Sequence, residues 1–290
     1  MQITGWDIAV VIAKALSYAA TLSAAGALFF LAYGDSLLTS LQQARIRGWV
    51  PPLCLAAAAL SAVKVMLLAG SMSGAFNAMF DLSFNSMILR AGEGSSIAAR
   101  VAGLCVACAA LLLKSRGRLP AAAGAALAAV SFAMSGHVHA LPHSALPMAL
   151  LMLHLLCAAF WLGALLPLYQ VAGDEDVARA GALAARFGII AAWLVAALLA
   201  AGAALLSQLL ESVSSLWASD YGRMVAVKIL LVAGLLGFAA FNKWQLTPGL
   251  LENAPRAAAR LRRSIVVEML LAAGILVITA AFTTLLGPKS

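Results

Sequence analysis

Eight apolar runs of helix length follow one another along the chain, at about residues 7–33, 49–71, 98–113, 119–136, 147–168, 182–210, 222–242 and 264–286. Most reach the roughly 18–20 residues that an α-helix needs to cross a bilayer core of about 30 Å. In that solvent every backbone polar group must be satisfied internally, so only helices and closed barrels span it. Barrel strands take about ten residues of alternating polarity, and these runs are longer and uniformly apolar. The expected fold is therefore an all-α, polytopic membrane protein of eight transmembrane helices, a single bundle over residues 1–290. Composition agrees, with 64% of residues hydrophobic and only 10% charged, against about a quarter charged in soluble domains. A soluble enzyme and a disordered chain are excluded.

Loop charge gives the expected sidedness. The odd-numbered loops carry Arg45, Arg47, Lys114, Arg116, Arg118, Arg179, Arg186, Lys243, Arg256, Arg260, Arg262 and Arg263, whereas the even-numbered loops and their margins offer only Arg90, Arg100 and Arg223. The positive-inside rule places the odd loops in the cytoplasm and both termini outside. This bias absorbs the formal charge of +8, and no basic-aromatic stretch points to nucleic acid. The first run has no basic flank before it and holds Lys14 within it, which reads as a retained helix rather than a cleaved signal.

The strongest local signal is histidine. All four, His137, His139, His143 and His154, fall within eighteen consecutive residues, the first three in the loop between spans four and five, on the expected outer face. Neutral imidazoles bind Cu, Zn, Ni and Fe, and a thioether such as Met134 favours Cu(I). The plain alternative is that polar residues belong in a wet loop. With Pro147 opening the fifth span, His154 lies about 10 Å down that helix, so a ladder of ligands is expected rather than one cage. His154, Cys157 and Trp161 share a face there.

Two further patterns are weaker. In the outer loop 72–97, Met72, Phe76, Met79, Phe80, Phe84 and Met87 share one side of a helix, which predicts an amphipathic helix lying on the outer membrane surface. Its methionines offer soft donors, although interfacial packing accounts for the same stripe. Cys105 and Cys108 have i, i+3 spacing that suits a Cu(I)-thiolate step, and cysteine is equally a common small apolar residue in helices. No paired-carboxylate, nucleophile–base or phosphate-loop constellation is present, so no enzymatic activity is expected.

Lys14, Lys64, Lys228 and Glu268 lie inside the runs, where each ion needs a partner, water or a route to the surface. The three lysines sit roughly 10 Å below the expected outer boundary, level with His154, which predicts a polar layer in the outer half of the bundle. Snorkelling or pairing with Asp7 is the expected resolution for them, and Arg186, Arg262 or Arg263 the expected partner of Glu268.

Several segments resemble the CopD family of bacterial copper-resistance membrane proteins. They are Ser135-Gly136-His137 with His139; the stretch from His154 through Trp161 and Gly163 to Pro167; Tyr221-Gly222-Arg223 with Lys228; and Leu261-Arg262-Arg263-Ser264 with Glu268. The likeness is clearest from about residue 135 to Pro288. It implies an inner-membrane protein of eight helices that handles copper in resistance or uptake, often beside a periplasmic copper-binding partner of the CopC type. It carries His137, His139 and His154 as copper-site positions and Trp161 and Gly163 as packing positions, whereas His143 and Met134 come from spacing. Two other readings stand beside copper transport: a haem-binding redox protein using His154 and a loop histidine, and a docking or sensing subunit that does not transport.

Overall fold

The computed structural model describes residues 3–34, 36–113, 117–135, 145–174, 176–209, 214–252, 254 and 256–286. Among these residues the regular secondary structure is all helix, with no strand. Helices α1 (Gly5–Gly34), α2 (Ser40–Ser73), α3 (Leu82–Ile88), α4 (Gly94–Leu111), α5 (Arg118–Val130), α6 (Ala145–Val171), α7 (Val177–Leu209), α8 (Ser215–Ala218), α9 (Asp220–Phe241), α10 (Thr247–Leu251) and α11 (Ala257–Leu285) follow in order. Among the described residues seven helical stretches are long and apolar enough to cross a membrane, the kinked α3–α4 and α9–α10 each counting as one, and Arg118–Met134 is a shorter apolar helix.

Helices run past the apolar segments that announce them. α2 starts at Ser40 because Thr39 and Gln42 form a capping box, each side chain bonding the other's backbone N–H. The polar turns that follow stay helical up to Pro51 and Pro52. α11 likewise takes in Arg260, Arg262 and Arg263 before its apolar part. Hydropathy marks the part facing hydrocarbon, while the helix continues into the interface.

α1 is the central post, packed against α2, α5, α6 and α11. Half of its apolar window is buried, against 11% for α7 and for α9–α10, which stand at the periphery. Small residues set the closest approaches, as expected where lipid supplies no hydrophobic drive between helices. At the α1–α6 crossing a methyl group on Gly26 would lie 1.9 Å from the Ala159 carbonyl oxygen, and one on Gly163 2.2 Å from Gly26 Cα. At the α4–α5 crossing Gly103 and Gly124 meet in the same way, a methyl on either falling 2.5 Å from the other's carbonyl oxygen.

The two ends of the bundle differ. At one end Asp174 accepts from Gln42 and Arg45, Arg186 donates to Ser36 and lies over Tyr33, and Arg262 lies over Tyr169. At the other, Lys14 donates to Thr283 O and Thr284 Oγ1, and Trp6 packs on Gly70. The first and last helices thus meet where α2 ends and α4 begins.

The predicted single amphipathic helix over 72–97 is broken. α2 stops at Gly74, which adopts φ 71° and returns its N–H to Gly70 O. A 3₁₀ turn over Phe76–Phe80 follows, and extended backbone at Asp81 then caps α3 through bonds from Ser83 and Phe84. Met72, Phe76, Phe80 and Met87 are exposed, while Met79 packs over Gly70. The methionines therefore stand on three separate elements, because glycine at 74 and the Asx cap at 81 each end a helix.

Candidate functional site

Near the end where α4 begins, polar side chains meet inside the bundle. Arg100, counted from sequence as a cation at a loop margin, is instead 3% exposed on α4. Its Nε donates to Ser131 Oγ at 3.1 Å, Nη1 to Ser61 Oγ at 2.9 Å and Nη2 to Ser96 Oγ at 3.1 Å. Each hydroxyl passes its own proton to a backbone carbonyl: Ser61 to Ala57, Ser96 to Ser131, Ser131 to Ala128. Phe132 covers the guanidinium with its ring centroid 3.7 Å from Cζ, and Tyr18 meets Phe132 edge-on. A buried charge is tolerated only when its donors are matched in this way.

Beside this cage Lys64 forms an ion pair with Glu93 at 2.7 Å. Glu93 follows a kink between α3 and α4, where Ala91 leaves helical geometry and Gly92 takes φ 103°. Lys14 also feels the Glu93 charge. The expected polar layer is therefore present for Lys14 and Lys64, but with different partners: Asp7 is engaged with Thr4 and takes neither lysine. Sequence reading missed Arg100 and Glu93. The available signal was Ser96 and Arg100 one turn apart at the head of an apolar run.

The cage fixes the start of the histidine-bearing loop. Ser131 and Phe132 belong to a 3₁₀ turn over Ser131–Met134 that closes α5, so Arg100 and Ser96 hold the chain two to three residues before half-buried Met134. His137, His139 and His143 follow and lie outside the described residues.

His154 stands on α6, where its ring lies against Gly202 of α7 and Nδ1 is 3.3 Å from Leu198 O. A carbonyl can only accept, so Nδ1 is the donor; in the neutral ring Nε2 then keeps its lone pair, the arrangement by which metal-binding imidazoles are oriented. Lys228 of α9 is the nearby charge, and its ammonium lies 5.6 Å from the Phe282 ring centroid. Cys157 and Trp161, on the same helix, are buried. Of the other thiols, Cys105 is exposed and half-buried Cys108 faces buried Cys54 on α2. Among the described residues no group of three or more His, Cys, Asp or Glu side chains stands ready to hold a metal.

At the opposite end Glu268 is 3% exposed. None of its expected arginine partners reaches it. Arg186 and Arg262 are engaged with Ser36, Tyr33 and Tyr169, and Arg263 is exposed on the outside of α11. The carboxylate accepts instead from Asn242 Nδ2, with Trp161 as a second donor.

Two family models match the chain: the copper resistance protein D-like N-terminal domain over residues 5–145 and copper resistance protein D over residues 181–282. The chain belongs to the copper resistance protein D family. Its likeness therefore extends over the first 130 residues, which sequence reading could match only in hydrophobic pattern. The N-terminal match takes in Arg100, Glu93 and the three loop histidines, and residues 146–180, with His154 and Trp161, lie between the two matches. No curated protein and no solved structure matches it.

In this member of the copper resistance protein D family, Arg100→Met keeps much of the side chain's bulk and removes three charge-assisted hydrogen bonds. After allowance for the relieved desolvation, the expected loss is about 2–4 kcal/mol. Thermal unfolding of the purified protein in detergent measures it, and an unchanged midpoint would show that the cage carries no stability.

Proposed function

We propose that the protein binds copper at its extracytoplasmic mouth and passes it into the bundle. His137, His139 and His143 capture the ion with Met134 as a soft donor, and His154 Nε2 receives it deeper in the membrane. The observation that carries this reading is the anchored root of the loop. In a chain of the copper resistance protein D family, Arg100 and Ser96 hold Ser131 at the end of α5, ahead of the sequence segment that carries His137, His139 and His143.

The described start of α6 lies about 13 Å along the helix from His154, which fits a two-stage ladder. Lys228 beside His154 repels any cation, and Cu(I) meets half the repulsion of Cu(II) at equal distance. The deep stage therefore suits the monovalent ion, and onward passage carries it to the cytoplasm. In this reading all eight helices cross the bacterial inner membrane, Arg118–Met134 included, with both termini periplasmic. Meeting of α1 with the end of α11 supports an even number of crossings. A periplasmic copper-binding protein of the CopC type is the expected donor.

Changing the three loop histidines to alanine is expected to remove most bound copper, measured as metal per protein after purification. Unchanged stoichiometry would refute the site. Copper flux into proteoliposomes separates a transporter from a docking or sensing subunit, and a Soret band in the pure protein would replace the copper reading by a haem one. Labelling of a cysteine placed at Ser144 from the periplasmic side tests the orientation.

A further inference from the structure

Glu268 is the buried carboxylate that the copper reading leaves unused. It lies on α11 facing α6 and the segment after α9. That segment is unusual: between α9 and α10 the chain forms a π turn over Asn242–Leu246. Such a turn inserts an extra residue into the helix, is costly, and is most often kept where it places a side chain for function. Here it places Asn242 against Glu268, to which Nδ2 donates.

The charges around Glu268 are engaged elsewhere. On its own helix, Arg262 lies over Tyr169 of α6 and Arg263 is exposed. From the segment after α9, Lys243 lies along Gly188 of α7. Arg186 of α7 is taken by Ser36 and Tyr33. Lys14 of α1 and Lys228 of α9 sit beside Thr283 and Phe282, about 20 Å farther along α11. Among the described residues Glu268 has no ion pair. An ionised carboxylate in this place would be a buried charge without a counter-charge, the most expensive group a bundle can hold.

A second observation points to the remedy. The same Asn242 amide that donates through Nδ2 has its Oδ1 buried with no donor. An acid O–H supplies that donor: amide N–H to acid carbonyl, acid O–H to amide oxygen. Exchanging the amide's N and O would still leave one of its two groups unmatched against an ionised carboxylate. A protonated acid satisfies both.

We propose that Glu268 is a neutral carboxylic acid in the resting protein, paired with the Asn242 amide by two hydrogen bonds, and that it binds and releases a proton as copper moves. Release breaks the O–H bond and passes the proton to water at the near end of the bundle. The carboxylate left behind keeps two donors, Asn242 Nδ2 and the Trp161 indole. Ser264, one turn nearer that end on the same face, has a buried hydroxyl with no partner and offers a stepping point. Both charge states are thus provided for, which is what a proton-exchanging site requires. The link to copper rests on the function proposed above; the bound proton does not.

Infrared spectra of the full-length protein in lipid test the proton itself. At neutral pH wild type should show a protonated-carboxyl C=O band that shifts in deuterium oxide, is lost in Glu268→Gln and moves in frequency in Asn242→Ala. Labelling wild type with ¹³C-glutamate should shift the band, testing it without changing any side chain. A wild-type spectrum with only carboxylate bands, or an acid band that survives Glu268→Gln, overturns the proposal. In proteoliposomes, wild-type copper uptake should move protons in a fixed ratio to copper, and Glu268→Gln should reduce that ratio to background. Wild-type flux without proton movement, or an undiminished ratio in Glu268→Gln, overturns the coupling. Absence of any wild-type copper flux refutes the transport reading and leaves the infrared result to decide the proton site.

Discussion

Gly163→Leu is expected to yield no folded, monodisperse protein. α1 and α6 cross at Gly26 and Gly163 with their backbones in contact, and even a methyl group at 163 would fall 2.2 Å from Gly26 Cα. Overpacking against side chains costs about 1–3 kcal/mol because they give way. Here the obstacle is the backbone of the central helix, so a leucine forces two helices apart and the loss exceeds about 3 kcal/mol, a large part of a total stability of about 5–15 kcal/mol. Gly237→Leu on α9 is the control, since a side chain there meets nothing within 4 Å. Size-exclusion profiles and thermal unfolding of the two variants in detergent make the comparison. Equal behaviour would show that the α1–α6 contact does not hold the bundle together.

The second large effect concerns Glu93. Among the described residues it is the carboxylate of a layer that holds Lys14, Lys64 and Arg100, and Glu93→Gln leaves those cations without counter-charge. Breaking a buried pair costs about 3–5 kcal/mol. Because the paired side chains of Lys64 and Glu93 retain 11% and 24% of their exposure, the expected loss is nearer about 2–4 kcal/mol. Removing both charges in Lys64→Met with Glu93→Gln should recover most of it, since the penalty comes from the stranded ammonium rather than from the missing bond. Unfolding midpoints of the two singles and the double form the cycle. A double variant no more stable than Glu93→Gln alone would contradict this account.

The fold class was legible because lipid imposes one requirement on every span, and uniform apolarity is how a sequence meets it. The helix ends were less so: α2 owes its early start to the Thr39–Gln42 cap, and α11 to arginines that hydropathy counts as loop. Polar contacts within the bundle were hardest to read, because their partners are distant in sequence. Glu93 finds Lys64 across 29 positions, and Arg100 draws its acceptors from three segments. Glu268 was expected to seek a cation and found an amide, because the π turn that delivers Asn242 leaves no trace in hydropathy. Clustering singled out the histidines but not the cage around Arg100 ahead of them, whose residues, taken singly, look like an edge cation and three helix serines.

Lys14 gives the order of synthesis a structural meaning. Its hydrogen-bond partners Thr283 and Thr284 come 269 and 270 positions later, so α1 is made long before the acceptors of its ammonium. Glu93 supplies the charge that answers it, and α11 supplies the hydrogen-bond acceptors. α11 therefore works as a latch: a nascent chain halted before Thr283 would leave the Lys14 ammonium without the two acceptors that tie α1 to α11.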